Sequence, residues 1–259
     1  MQPRPEILVH RAEQQIARRN PMDTRPATHP SRDHVFYLAL SVAFAGVVVI
    51  GFSRTYFLKG LFGTPQLSPL FHVHGTAFAA WTLFYVVQNA LVFVGRTDLH
   101  RRTGTIGAAL ACPLILLGLL VAITAARNGY RASRPEMAIE LSNALMTLML
   151  FGIFFGTAVY WRRRKEVHKR LMVLSMVMVV FPAFARFPPS FPGLNWTLPG
   201  LTMVILPFIF AGMIFDGIAL RRVSLTYVWG VLLILITLPM RFAIGSTAWW
   251  ERFFLWVVA

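Results

Sequence analysis

Phe71 to Phe93 reads FHVHGTAFAAWTLFYVVQNALVF, a run without one Asp, Glu, Lys or Arg. At about 1.5 Å per residue a helix of this length spans about 35 Å, enough to cross a hydrocarbon core of about 30 Å. Within it His74, Trp81 and Gln88 fall seven apart, and seven steps of about 100° return to nearly the same helix face. A histidine, an indole donor and an amide on one stripe predict a face turned to the interior of a bundle, because polar groups turned to lipid go unsatisfied. The same stripe also serves as hydrogen-bonded packing between helices.

Six similar apolar segments surround this one. Together the seven lie at 36–53, 70–94, 105–126, 138–160, 171–186, 199–220 and 226–245. The fifth is the shortest and ends at Pro182 and Phe187-Pro188-Pro189, with His168 to Arg170 able to snorkel and lengthen it. The chain is 56% hydrophobic and 14% charged, against about 25% charged in an ordinary soluble domain. So little charge cannot coat a water-soluble globule. The reading is an all-α, polytopic transmembrane helix bundle of about seven spans. It comprises a basic tail over 1–34, the membrane domain over 35–247 and an aromatic segment over 248–259.

The net charge of +15 is distributed in short Lys/Arg clusters between apolar runs, which points to anionic lipid headgroups as partners and not to nucleic acid. With the N-terminus inside, the tail and the segments at Arg96 to Arg102, Arg162 to Arg170 and Arg221-Arg222 hold 17 of the 25 Lys and Arg. Seven spans with a cytoplasmic N-terminus and an outer C-terminus satisfy that bias. The tail, with five prolines and six arginines, lacks the apolar core of a secretory signal. Trp249, Trp250, Phe253, Phe254 and Trp256 predict a helix lying in the outer interface. Pro113, Pro207 and Pro239 fall inside spans. The single cysteine, Cys112, excludes an intramolecular disulfide and a Cys-based metal cluster.

The polar residues inside or beside these spans are the functional candidates. His100, in DLHRRTG, and His168, in EVHKRLM, precede helices running outward and therefore lie at similar depth. Two imidazoles at one level on facing helices are what bis-histidine ligation of haem b requires, and Arg101, Arg102, Lys169 and Arg170 would neutralise propionates. The competing reading of the same text is an interface anchor that binds lipid phosphate. His72 and His74, if the backbone there is extended, could share a metal with Glu140; on a helix they diverge by about 200°. Asp216, inside the sixth segment, requires a cation, either Arg221, Arg222 or the basic groups around His100 and His168. Arg186, Asn143, Glu140 and His74 together suggest an outer cavity. No P-loop, dinucleotide fingerprint, His-Glu-x-x-His or nucleophile elbow is present.

The combination His72-x-His74-Gly75, Trp81, Gln88, His100-Arg101-x-x-Gly104, His168-Lys169-Arg170-Leu171-Met172 and Arg186 resembles uncharacterised bacterial multi-pass membrane proteins over about residues 70 to 220. The resemblance implies a bacterial inner-membrane location and brings no activity with it. Three classes of function fit the residues: a haem- or quinone-linked redox protein, a small-molecule carrier or channel using Gln88, Asn143 and Asp216, and a non-catalytic accessory subunit of a larger membrane complex.

Overall fold

The computed structural model describes residues 31–134, 136–187 and 198–259. The tail assigned to 1–34 lies outside the described residues up to residue 30. The helices are α1 (Arg32–Phe52), continued by a π-helical turn (Ser53–Phe57), α2 (Pro69–Phe93), α3 (Thr97–Arg131), α4 (Met137–Tyr160), α5 (Lys165–Phe184), α6 (Leu198–Leu220), α7 (Leu225–Gly245) and α8 (Ala248–Val258). There is no strand among the described residues. Six helices, α1 to α5 and α7, are long and apolar enough to cross a membrane. The chain is therefore built as a multi-pass helical membrane protein. The apolar part of α6 described in full is the shorter stretch Leu206–Ala219.

Local chemistry sets the helix starts. The Ser31 hydroxyl accepts from the His34 N–H, Pro69 opens α2, and the Ser224 and Thr247 hydroxyls accept from Thr226 and Trp250 N–H groups. Three starts come earlier than hydropathy predicts, at Arg32, Thr97 and Lys165, all at the end of the bundle that carries the Arg clusters (hereafter the basic end). Long cationic side chains there extend toward water from a backbone that stays helical. At 35 residues, α3 is about 52 Å long, so its ends stand clear of an apolar core of about 30 Å. His72 and His74 both lie within α2, where the helical backbone sends them to different sides; the extended segment that a shared metal would need is not there.

Consecutive packing of α1 on α2, α2 on α3, α3 on α4, α4 on α5 and α5 back on α1 closes a ring of five helices. α6 packs against α5, and α7 against α4, α5 and α6. α5 is thus enclosed from both sides: 67% of its most apolar window is buried, against 22–39% in the other spans. Large apolar side chains such as Leu83, Leu116, Ile218 and Trp229 stay exposed around the perimeter, the surface expected when the solvent is lipid. Inside the ring, Trp81 of α2 meets Phe151 and Phe155 of α4 at centroid distances of 6.1 and 5.3 Å. Glycine permits close approach of helices at several positions, Gly51 and Gly212 among them. A Cβ on Gly51 would run into the backbone carbonyl of Ala183, and one on Gly212 into the Tyr227 hydroxyl.

α5 is held to its neighbours by charge as well as packing. Arg170, 1% exposed, donates from Nε and Nη2 to the two oxygens of Asp216 on α6, both at 2.7 Å, and Asp216 is itself 1% exposed. The third guanidinium nitrogen donates to the Glu166 carboxylate at 2.8 Å and to the Glu166 backbone carbonyl. Lys169 donates to Asp33 of α1 at 2.7 Å. The buried hydroxyls of Tyr37 and Tyr227 lie beside the pair, near enough to each other and to Arg170 and Asp216 to feel their charges.

Removing one partner of such a pair leaves an uncompensated charge, so Asp216→Ala is expected to lower stability by about 3–5 kcal/mol. The double replacement Arg170→Met with Asp216→Leu removes both charges and should recover most of that loss. Thermal unfolding in detergent of the two variants beside the wild type checks the order; equal losses would contradict it.

Candidate functional site

Gln88, Trp81 and Tyr85 are buried on the inner face of α2, whereas His74, on the same stripe, is half-buried. Trp81 lies about 10 Å deeper than Gln88 along the axis. At the basic end, α3 presents His100 and Thr103, three residues apart and hence on one side of its first turns. The Gln88 side-chain amide donates to the Thr103 hydroxyl at 2.6 Å, and that hydroxyl donates to the Leu99 carbonyl at 2.8 Å.

His168 enters the same region from the first turn of α5. The rings of His100 and His168 stand 6.5 Å apart, centre to centre, at an interplanar angle of 75°. The two helices are not packing neighbours, since α4 intervenes in the ring; the side chains converge across the space between them. Nδ1 of His168 sits 2.8 Å from the Ala158 carbonyl oxygen of α4. A carbonyl only accepts, so Nδ1 carries the proton and Nε2 is the bare nitrogen. His100 Nδ1 is buried without a hydrogen-bond partner, although the Gln88 backbone carbonyl is close enough to the ring to interact with it. Trp81 Nε1 and Gln88 Oε1 are likewise buried without partners. Buried polar atoms without partners are costly; among the described residues five others, the Tyr37 and Tyr227 hydroxyls, Thr55 Oγ1, His74 Nδ1 and Arg241 Nε, lie elsewhere in the bundle.

Two imidazoles that shared one metal, each bonded at about 2 Å, would have ring centres roughly 6 Å apart. The His100–His168 spacing fits that arrangement. No group of three or more His, Cys, Asp or Glu converges among the described residues. Two imidazoles are too few for a bare zinc ion, which takes four ligands, whereas a haem iron brings four nitrogens of its own. Of the four cations considered for propionates, Lys169 and Arg170 are held by Asp33, Glu166 and Asp216, turned from His168 by about 100° and 200° around α5. Arg101 and Arg102 remain, both exposed on the first turns of α3.

The other polar candidates divide over separate places. Asp216 is in the ion pair with Arg170. Asn143 of α4 accepts from Arg241 of α7 at 2.6 Å. At the end opposite the basic one, Arg186 donates to the Pro182 carbonyl at 2.8 Å, lies over the Phe52 ring, and is within electrostatic reach of His74 and of Glu140 in the first turn of α4. Gln88, Asn143 and Asp216 therefore sit in three different contacts. His72 is exposed, and its backbone carbonyl accepts from the Tyr56 hydroxyl at 3.1 Å. α8 lays Trp250, Phe254 and Val258 against α3 and α4, with the Trp250 indole donating to the Ala138 carbonyl at 2.7 Å.

Sequence reasoning missed Thr103, Arg241 and the tyrosines of the ion-pair cluster. Thr103 lies three residues after His100, the spacing that shares a helix side, and Arg241 follows Pro239 within an apolar run; both signals were available. Compared with protein-family models, curated proteins and solved structures, the chain matches none.

Thr103→Val keeps the shape of the side chain and removes the acceptor for the Gln88 amide, stranding a buried donor. A loss of about 1–3 kcal/mol is expected, read as a lower unfolding temperature in detergent. An unchanged midpoint would show that Gln88 is satisfied elsewhere.

Proposed function

We propose that this is a seven-span protein of the bacterial inner membrane, with α6 as the additional span, that binds a b-type haem between His100 and His168 and takes part in membrane redox chemistry. One observation carries the reading: two histidines from helices that do not pack together converge to 6.5 Å inside the bundle, with the bare nitrogen of His168 fixed by the Ala158 carbonyl. The basic end is the cytoplasmic one, on the distribution of 17 of 25 cations, and the site lies near that interface.

Haem supplies one-electron transfer there. The protein's own part is binding and tuning. Ala158 holds the His168 tautomer and orientation, which also makes the free nitrogen more electron-rich. Thr103 and Gln88 fix the α2–α3 contact beside His100. Trp81, Phe151 and Phe155 fill the middle of the ring and keep water from the opposite side. Arg101 and Arg102 offer counter-charges at the interface.

A quinone headgroup in the same region is the second reading. It is favoured by the unpartnered Trp81 Nε1 donor, which would donate to a quinone carbonyl.

The test is an absorption spectrum of purified protein reconstituted with haemin. One equivalent bound, with a Soret band and low-spin visible bands lost in both His100→Ala and His168→Ala, is the expected outcome. No Soret band in the wild type, or identical low-spin spectra in the variants, removes the haem reading.

A further inference from the structure

We propose that Arg241, with Asn143 beside it, holds a small monovalent anion, a halide or a small carboxylate, inside the bundle half remote from the basic end. The argument is independent of the haem reading, because Asn143 lies 15 residues from Ala158, about 22 Å along α4.

Arg241 is 2% exposed. Arginine stays protonated in proteins, so a full positive charge is buried between α4, α5 and α7. Asn143 lies six residues into α4, about 9 Å from its start, which is too deep for bulk water to solvate the charge. Its partners are all neutral. Nη1 donates to Asn143 Oδ1 at 2.6 Å and to the Thr147 hydroxyl at 3.1 Å, and the Phe181 ring stands 5.5 Å from the guanidinium carbon. The Ser142 hydroxyl donates to the Arg241 backbone carbonyl at 3.0 Å and adds no charge. Neutral acceptors satisfy hydrogen bonds but do not cancel a buried charge.

The contrast with Arg170 is instructive. That residue, equally buried, has two carboxylates on it, Asp216 and Glu166. Arg241 makes no ion pair among the described residues, and the sequence from 188 to 205 contains no acid that could supply one. Its Nε is buried with no acceptor. Because Asn143 spends its oxygen on Nη1, its amide nitrogen is left as a further donor at the same place. One uncompensated charge with free N–H groups defines a site for one negative charge. The depth of burial requires the anion to be small.

The test uses purified full-length protein in detergent, equilibrated in sodium gluconate at fixed ionic strength, into which chloride or acetate is exchanged while the unfolding temperature is read. A ligand that binds only the folded state raises that temperature saturably. The expected result is such a rise with chloride, with acetate or with both; the responsive anion distinguishes halide from carboxylate. Asn143→Ala should shift half-saturation to about tenfold higher concentration, the equivalent of one lost hydrogen bond, and Arg241→Gln should abolish the response. If Arg241→Gln does not fold, Asn143→Ala decides alone. No response to either anion in the wild type, or the same half-saturation in Asn143→Ala, overturns the proposal.

Discussion

A charge inside a hydrocarbon-facing bundle must be matched where it stands, and the Arg170–Asp216 pair is the place where this protein does so most completely. Both side chains are almost wholly buried, and their bidentate contact at 2.7 Å fixes α5 against α6 in one register. Lys169 adds Asp33 of α1 to the same cluster. α5 is thereby tied by charge to helices on two sides, while its apolar length packs on α4. That fixed helix carries His168 two residues before Arg170, about 200° around the axis. The ion pair faces one way and the histidine the other, so the pair sets the position from which His168 reaches His100.

Seen from the ring interior, the molecule is layered. Tyr56, His74 and Arg186 lie toward one end, Trp81 with Phe151 and Phe155 fills the middle, and Gln88, Thr103, His100 and His168 occupy the basic end. The aromatic layer separates two polar regions, which favours a site reached from one side over a continuous path. At the basic end Gln88 Oε1 and His100 Nδ1 are buried without partners. Other interior polar groups, such as Thr82, Asn89 and Thr147, donate to carbonyls of their own helices.

Much of this was legible in the sequence. Hydropathy located the helices because a membrane span must bury its own amides, and the seven-residue repeat of His74, Trp81 and Gln88 gave the inner face of α2. Matching depth brought His100 and His168 under consideration together. What was not legible depends on which helices touch. Nothing in the text says that Asp216 meets Arg170 in preference to Arg221 or Arg222, since all stand at the same level. Arg241 is a lone cation in an apolar run, and only the packing of α4 on α7 buries it beside Asn143. Helix starts at the basic end were misplaced because cationic first turns look like loops to a hydropathy window, although their side chains snorkel from a regular helix.

The account rests on His100 and His168 facing each other inside the bundle. Cross-linking in native membranes tests this without any ligand. His100→Cys and His168→Cys, combined with Cys112→Ser, are treated with a short bifunctional thiol reagent, and the chain is then cut between α3 and α5. Convergence predicts that the two fragments stay joined, and that they separate when Ile106→Cys, on the exposed side of α3, replaces His100→Cys. Fragments that separate in the histidine-position variant, with both thiols open to a membrane-impermeant label, would contradict it.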